Sequence, residues 1–159
     1  ATDAHGYPLI DGDLIVLTGM DPSMAGACGG HALVTTATDL IRFLSAVTRG
    51  ELFQNKATLD EMMTFFDAPD DQGIPYEYGL ALEKYVLPGN AVSIGHSGTT
   101  AGFAAAVVTF PALDLTIACA INTQDLAPVY LNVIAPFVQE LQVRALTDRA
   151  DLDNPRNRK

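Results

Sequence analysis

The spacing of apolar residues predicts two helices in the first half of the chain. Over residues 35–50, TTATDLIRFLSAVTRG, the apolar residues recur at helical spacing and form one stripe: Leu40, Phe43, Leu44 and Val47. Thr36 is a natural N-cap, Asp39 lies near the positive end of the helix dipole, and Gly50 is well placed to end the helix. A second, shorter helix is predicted near Leu59 to Phe66, with an apolar face made of Leu59, Met62, Met63 and Phe66.

From Tyr78 onward the spacing of apolar residues changes to that of strands. Four strand-like runs follow one another: YGLALEKYV, AVSIGHS, GFAAAVVTF and LTIACAIN. Two of the connections between these runs, LPGN and PALD, are good tight-turn sequences. Connections this short force antiparallel pairing, because a parallel crossover needs about a dozen residues or more.

An apolar segment, DLAPVYLNVIAPFVQELQVRAL, follows the strands and is predicted to be a helix that covers one face of the sheet. Pro128 suits its first turn, whereas Pro136 should kink or split it. Helices followed by an antiparallel β-sheet meander and a closing helix make an α+β fold. We predict one domain over residues 1–148 and a flexible tail over residues 149–159.

Composition and charge argue against nucleic acid and membrane surfaces as partners. The 159 residues are 48% hydrophobic and only 18% charged, a balance that indicates a folded domain large enough to bury a core. The net charge of −10 would repel nucleic-acid phosphates and anionic membrane surfaces, so we expect neither nucleic acid nor a membrane surface as a partner. No apolar run approaches the roughly 20 residues of a membrane span.

Cysteine and histidine are too scarce for a disulfide framework or a zinc site. Cys28 and Cys119 are the two cysteines, and Cys119 lies in an apolar run where a buried, inert thiol is the default. The three histidines, His5, His31 and His96, offer no four-ligand zinc spacing. We expect neither a metal nor an organic cofactor.

The candidate chemistry lies in NAVSIGHSGTTAGFAAAVVTF, residues 90–110, where a histidine and a serine lie between glycines. In an α/β-hydrolase, the nucleophilic serine lies in G-x-S-x-G on a sharp turn between a strand and a helix. Here Gly98 comes one position early, and the residues that follow predict another strand. His5 and His31 both precede Ser97, whereas that fold supplies its acid and base after the nucleophile. Ser97 as the nucleophile of an α/β-hydrolase fragment is therefore kept only as an alternative.

Interpreted as a strand that carries HSGT, the same segment resembles the third motif of the penicillin-recognising serine hydrolases. That motif is K-T-G or H-x-G on an inner strand of an antiparallel sheet, in a superfamily that holds class C β-lactamases, D-Ala-D-Ala carboxypeptidases, esterases and D-aminopeptidases. GGHALVTTATDLIRFLSAVTRGELF resembles the family's glycine-led loop and helix. YGLALE, the HSGT strand with its partner strands, and the terminal helix follow in the family's order, so the resemblance covers about residues 5–145.

The resemblance implies roles for four consecutive residues. Gly98 would let a substrate backbone approach closely, and the N–H of Thr99 would be one donor of an oxyanion hole. Ser97 Oγ would hydrogen-bond a substrate carboxylate or carbonyl, and His96 would tune the charge of the site or relay a proton. The candidates are therefore His96 and Ser97 as catalytic residues and Gly98 and Thr99 as substrate-binding residues.

Two motifs that the family's chemistry needs are missing. None of the serines is followed by a lysine in the pattern S-x-x-K: Ser23, Ser45, Ser93 and Ser97. The one Y-x-N, Tyr130-Leu131-Asn132, comes after HSGT although the family places it before, so we interpret it as a coincidence. The nucleophile is expected on a missing N-terminal portion, and this chain alone should be inactive.

The sequence thus predicts a partial β-lactamase-like fold, the C-terminal portion of a serine hydrolase that cleaves esters or amides through an acyl-serine intermediate. Histidine in place of the motif's lysine favours a carboxypeptidase, D-aminopeptidase or esterase over a β-lactamase. The expected partner is the missing N-terminal portion or a second copy of the chain, and the parent's substrate is a small or peptide-like molecule. The resemblance favours a periplasmic or extracellular location. The competing interpretation is a non-catalytic binding or scaffold module derived from such a hydrolase.

Overall fold

The computed structural model of the chain describes residues 9–10, 13–14, 35–68, 75–100 and 102–153. Two short strands, β1 (Leu9–Ile10) and β2 (Asp13–Leu14), pair with each other antiparallel. Two helices follow, α1 (Ala37–Thr48) and α2 (Lys56–Met62).

Six strands form one antiparallel sheet in the order in which they occur along the chain: β3 (Phe66–Asp67), β4 (Tyr76–Tyr78), β5 (Glu83–Leu87), β6 (Ala91–Thr100), β7 (Phe103–Phe110) and β8 (Leu115–Ile121). The turn between β5 and β6 contains Gly89 and Asn90 at φ values of 82° and 59°. A single 3-10 turn, Pro111–Leu113, connects β7 to β8 and ends at Asp114 with φ 47°. Both predicted tight turns are present, and the predicted meander is confirmed.

The alternation of residues along the strands gives the sheet two faces that are covered by different helices. The terminal-helix face packs against the helices that follow β8, and its core consists of Leu87, Ala91, Ala104, Ala106, Val108, Phe110, Leu126, Tyr130, Ile134, Ala135 and Val138. The α1 face lies on the other side, where α1 packs against β7 and β8. Ser45 Oγ on α1 lies 3.3 Å from Thr116 Oγ1 on β8, which joins the helix to this face. The predicted α+β arrangement is confirmed.

The terminal helix changes type along its length. It begins as α3 (Ala127–Val129), continues as a π-helical turn (Tyr130–Ile134) and ends as α4 (Ala135–Asp153). Pro128 lies in the first turn, as predicted. The disruption expected at Pro136 takes the form of the π-helical turn directly before it, because proline has no N–H to donate to the preceding turn. The predicted tail begins inside α4, and the domain boundary at residue 148 stays a prediction.

Helix α1 confirms the predicted cap and most of the predicted stripe. Thr36 Oγ1 accepts the N–H of Asp39 at 3.2 Å, and Gly50 takes a φ of 76° just beyond the helix. Leu44 and Val47 are buried, but Phe43 is 61% exposed. The prediction was wrong for Phe43, because the described part of the chain packs on α1 mainly through Leu44 and Val47.

The second helix lies earlier than predicted. Asn55 Oδ1 accepts the N–H of Ala57 at 3.0 Å, and this cap starts α2 at Lys56 instead of Leu59. Leu59 is buried, but Phe66 lies beyond the helix in β3 and is 71% exposed. The predicted apolar face therefore reduces to Leu59, with Met62 and Met63 half-buried.

Candidate active site

The four predicted site residues lie on β6, where this strand runs past its neighbour β5. The β5–β6 pairing ends at Glu83 and Gly95, whereas the β6–β7 pairing continues to Thr100 and Phe103. Among the described residues, no strand lies beside residues 96–100 on the β5 side. We call this stretch, residues 96–100, the open edge of β6.

The connection from β4 to β5 explains why β5 stops where it does. The N–H of Gly79 donates to the carbonyl of Leu82 at 2.8 Å, and Ala81 takes a φ of 58°, so the chain reverses sharply just before β5. The N–H of Leu80 donates to the carbonyl of Met62 at 3.0 Å, which ties this turn to α2. The turn therefore leads the backbone away before it can pair with Ser97.

The side chain of Glu83 takes the place of the missing strand at Ser97. Its Oε2 accepts the N–H of Ser97 at 3.0 Å and the hydroxyl of Ser97 at 2.9 Å. Because the N–H groups of a strand point sideways within the sheet, a carboxylate that accepts one of them lies in the plane of the sheet. Glu83 is only 8% exposed, so this cap is largely shielded from solvent.

Beyond Ser97, no described side chain caps the backbone of the open edge in this way. The N–H and C=O of a strand residue point the same way as those of the residue two positions on, so Thr99 presents both groups to the β5 side. No strand in the described ranges pairs with them there. A Cβ built on Gly98 would meet no atom within 4 Å, so the space beside this residue is open.

His96 is held between a tyrosine and the same glutamate. Tyr78 Oη lies 2.9 Å from His96 Nε2, and His96 Nδ1 lies 3.8 Å from Glu83 Oε1. A neutral imidazole that accepts the Tyr78 proton at Nε2 carries its own proton on Nδ1, toward Glu83. These contacts form one polar chain of side chains from solvent to the open edge: Tyr78, His96, Glu83 and Ser97.

Burial shifts the pKa of two side chains in this polar chain, Glu83 and Tyr78. It raises the pKa of Glu83, an effect opposed by the Ser97 hydroxyl and by the positive charge that His96 can carry. It also raises the pKa of Tyr78, with a smaller contribution from the charge of Glu83, so Tyr78 keeps its proton at neutral pH. Lys84, the next residue along β5, is ion-paired with Glu77 at 2.8 Å.

Tyrosine rings line the core beside the site. The rings of Tyr76 and Tyr85 stack at 5.2 Å, and that of Tyr85 lies 5.6 Å from the ring of Tyr130. Tyr130 is 4% exposed, and burial raises its pKa well above the ordinary range. Its hydroxyl and that of Ser93 are buried and have no hydrogen-bond partner within the described ranges. This placement fits the interpretation that the Y-x-N sequence at Tyr130 is a coincidence.

The geometry contradicts the α/β-hydrolase alternative. Ser97 lies in the interior of β6, which leads into another antiparallel strand and not into a helix. Its hydroxyl donates to a carboxylate, and the neighbouring His96 is hydrogen-bonded to Tyr78. A nucleophile elbow needs a strand-to-helix turn and an imidazole behind the serine oxygen, and the described residues show neither at Ser97.

Three residues of the site were missed by the sequence analysis. Alternation along YGLALEKYV places Glu83 on the inward face with Tyr85 and Leu87, and a glutamate at an inward position was the available signal. Tyr78 carried no comparable signal, because its contact with His96 depends on two strands that are not neighbours in the sheet. Gly95, the glycine two positions before Ser97, was assigned no structural role from the sequence. A Cβ there would overlap the carbonyl oxygen of Val107 and lie 2.7 Å from Val108 Cα, so glycine permits β6 and β7 to pair.

The remaining candidates from the sequence lie elsewhere. Cys28, His5, His31 and Ser23 fall outside the described residues. Cys119 is half-buried on β8, where burial raises its pKa. None of the helices in the described part of the chain is both long and apolar enough to cross a membrane. Within the same ranges, no three His, Cys, Asp or Glu side chains come together as a potential metal site.

A cavity of about 400 Å³ lies on the α1 face. It is lined by Ser45, Thr48, Arg49, Met63, Ile94, Thr109, Pro111, Asp114 and Thr116. The hydroxyls of Thr116 and Thr109 are hydrogen-bonded to each other at 3.2 Å within it. None of the four HSGT residues lines this cavity, so we assign the candidate site to the open edge.

Comparison with known proteins agrees with this fold. The family model described as Beta-lactamase matches residues 1–132. The chain belongs to the beta-lactamase family. A solved structure of a D-stereospecific amidohydrolase from Streptomyces sp. is similar at a TM-score of 0.60 and 24% identity, over 77% of this chain. The match spans only 36% of that amidohydrolase chain, and at this identity the likeness shows the fold alone.

Membership of the beta-lactamase family confirms the predicted family resemblance. The six-stranded antiparallel sheet with its terminal helix is a partial beta-lactamase-like fold. Membership places the chain among serine hydrolases at the level of the superfamily. No curated protein is similar enough to the chain to count as a match.

Proposed function

We propose that this chain provides the substrate-binding strand and one oxyanion donor of a serine hydrolase that cleaves ester or amide bonds. The single observation that carries the proposal is the open edge, where the backbone of Thr99 faces the β5 side with no described strand against it. Membership of the beta-lactamase family supplies the reaction class, which is acyl transfer to a serine followed by hydrolysis.

The open edge suits an extended, peptide-like substrate. Such a substrate adds to β6 as a short strand, and its backbone pairs with the N–H and C=O of Thr99. Gly98 has no side chain to hinder the approach. When the scissile carbonyl is attacked, its oxygen gains negative charge, and a fixed N–H such as that of Thr99 stabilises this charge. The second donor would be the amide of the nucleophile itself.

The nucleophile is proposed to lie on another portion of the same hydrolase. No serine in the chain is followed by a lysine in S-x-x-K, and the one hydroxyl proton of Ser97 is donated to Glu83. The acceptor of that proton is a carboxylate, and not the lysine amine or imidazole that usually activates a serine. His96, oriented by Tyr78, would adjust the charge of the site or relay a proton to the reacting groups.

The finer substrate class is also part of the proposal. The similar solved protein is described as a D-stereospecific amidohydrolase, and this chain has histidine where the K-T-G motif has lysine. Both features favour a D-aminopeptidase, carboxypeptidase or esterase type over a β-lactamase type. A small blocked D-amino-acid amide is therefore a suitable probe.

The test combines binding with a search for covalent chemistry. Amide resonances are followed by NMR while N-acetyl-D-alaninamide is added, with Gly98→Val as the variant whose side chain fills the approach to the edge. We expect the largest shifts at Ser97, Gly98 and Thr99 in the natural sequence and much smaller ones in Gly98→Val. After treatment with a fluorophosphonate, intact mass spectrometry should find no adduct. An adduct that disappears in Ser97→Ala would overturn the proposal.

A non-catalytic binding module is the second candidate, and the missing S-x-x-K favours it. Both candidates predict binding at the open edge, but only the first predicts a nucleophile on another portion of the protein. Extending the chain with the residues encoded upstream separates them. Hydrolysis gained together with an S-x-x-K serine supports the hydrolase, and ligand binding with no serine nucleophile upstream supports the binding module.

A further inference from the structure

A carboxylate closes the inner end of the open edge, at the point where an added strand would meet β5. Glu83 is the first residue of β5, and its Oε2 occupies the N–H of Ser97. An incoming strand that pairs with Thr99 therefore ends against this carboxylate. The chemical group at that end of the substrate lies closest to Glu83.

The direction of the strands decides which end of a substrate this is. β5 and β6 are antiparallel, and Glu83 lies at the amino end of β5. A substrate that continues the line of β5 in the same antiparallel sense runs from amino to carboxyl end toward Glu83. Its carboxyl-terminal group is therefore the one that abuts Glu83 and Ser97.

The hydrogen bonding of Ser97 points to the kind of group that fits there. A serine hydroxyl has one proton to donate and two lone pairs to accept. The proton of Ser97 is donated to Glu83 at 2.9 Å, and the N–H of Ser97 is donated to the same oxygen at 3.0 Å. Toward a ligand Ser97 Oγ can only accept, which suits an amide N–H and not a carboxylate oxygen.

The surrounding charges also disfavour a substrate carboxylate at this place. Among the described residues, His96 is the one ion-pair partner of Glu83, at 3.8 Å. Lys84 is paired with Glu77, and the arginines at positions 42, 49 and 144 are paired with Asp39, Asp114 and Glu140. A substrate carboxylate at this place would therefore face Glu83 with no described lysine or arginine to offset the repulsion.

We propose that Glu83 makes this edge selective for substrates whose carboxyl-terminal group is an uncharged amide or ester, and excludes substrates that end in a free carboxylate. The inference rests on the proposed function. It narrows that function away from a carboxypeptidase and toward an amidohydrolase or esterase. It also revises the expected role of Ser97, which accepts a hydrogen bond from the substrate instead of donating one to its carboxylate.

The test uses two ligands that differ only at this end, N-acetyl-D-alaninamide and N-acetyl-D-alanine. Their dissociation constants are measured at pH 8 from the NMR shifts of Gly98 and Thr99. We expect the amide to bind at least about 10-fold more tightly than the acid. In Glu83→Gln, which keeps the shape but removes the charge, the preference should fall to about 3-fold or less.

Glu140→Gln on α4 is the matched control, because it removes the same charge from an exposed ion pair away from the edge. It should leave the preference unchanged. Equal or tighter binding of the acid by the natural sequence would overturn the inference while leaving the proposed binding edge intact. A preference for the amide that persists in Glu83→Gln would also overturn the inference and leave the binding edge intact. If neither ligand shifts Gly98 or Thr99, the proposed function itself fails.

Discussion

The carboxylate of Glu83 accepts both the backbone N–H and the hydroxyl of Ser97, at 3.0 and 2.9 Å to the same oxygen. One side chain thereby accepts the backbone N–H of β6 that has no described strand partner where β5 ends. It also fixes the hydroxyl proton of the serine that the sequence marks as a candidate. The contact connects the fold to the site, because it lies where the β5–β6 pairing stops and the open edge begins.

The ionisation of Glu83 should lower stability as the pH rises. Burial raises its pKa in the folded chain above the ordinary value of 4.5, so the folded state holds this proton more tightly than the unfolded state. The contribution to stability is complete below about pH 4.5 and is lost as the pH rises through the folded pKa. Urea unfolding from pH 4 to pH 8 should show the natural sequence losing stability relative to Glu83→Gln. A difference that does not change with pH would contradict this assignment.

Gly95 and Gly98 should respond oppositely to the same substitution. In Gly95→Ala the new Cβ meets the backbone of Val107 and Val108, so we expect a loss of about 3 kcal/mol in the free energy of unfolding. In Gly98→Ala the Cβ meets nothing within 4 Å, and the loss should stay below about 1 kcal/mol. Chemical denaturation of both variants measures the difference. Equal losses of stability in the two variants would show that the space beside Gly98 is not open.

Ser93 and Ser97 form a second matched pair. Ser93 Oγ is buried without a hydrogen-bond partner in the described ranges, so Ser93→Ala should leave stability unchanged or raise it by up to about 1 kcal/mol. Ser97→Ala removes a hydrogen bond to a carboxylate and should lower stability by about 1–2 kcal/mol. Thermal and urea unfolding report both. A large loss in Ser93→Ala would mean that its hydroxyl has a partner.

The cap of α1 gives a prediction that is independent of the site. Thr36 Oγ1 accepts the N–H of Asp39, and Thr36→Ala should lower stability by about 1 kcal/mol. Thr35→Ala is the control, because Thr35 is exposed and precedes the cap, so it should change stability by less than about 0.5 kcal/mol. Equal effects of the two substitutions would argue against the cap.

The fold was predictable from the sequence where local patterns decide the structure. Thr36 and Gly50 set the bounds of α1, and short turns forced the antiparallel order of the later strands. The prediction failed where burial depends on distant residues. Phe43 and Phe66 occur at helical spacing with buried residues, yet both are exposed in the described structure, because periodicity does not show what packs on a helix.

The position of the site was predictable from the sequence, but the side-chain contacts within it were not. HSGT identified the strand that carries the open edge. The partner of Ser97 was not visible, because the contact with Glu83 depends on the register of β5 against β6 and on the turn at Ala81 that ends β5. The contact between Tyr78 and His96 depends on residues from β4 and β6, which are separated in the sheet by β5.

Native-state hydrogen exchange at Ser97 and Thr99 tests most directly whether the edge of β6 is closed at one residue and open two residues later. The N–H of Ser97 is bonded to Glu83, whereas that of Thr99 faces the β5 side with no described strand against it. After correction for intrinsic rates, we expect the Thr99 amide to exchange at least about 100-fold faster than the Ser97 amide, and the two rates to converge in Glu83→Ala. Protection of Thr99 equal to that of Ser97 would contradict the account, since no free donor would remain for a substrate.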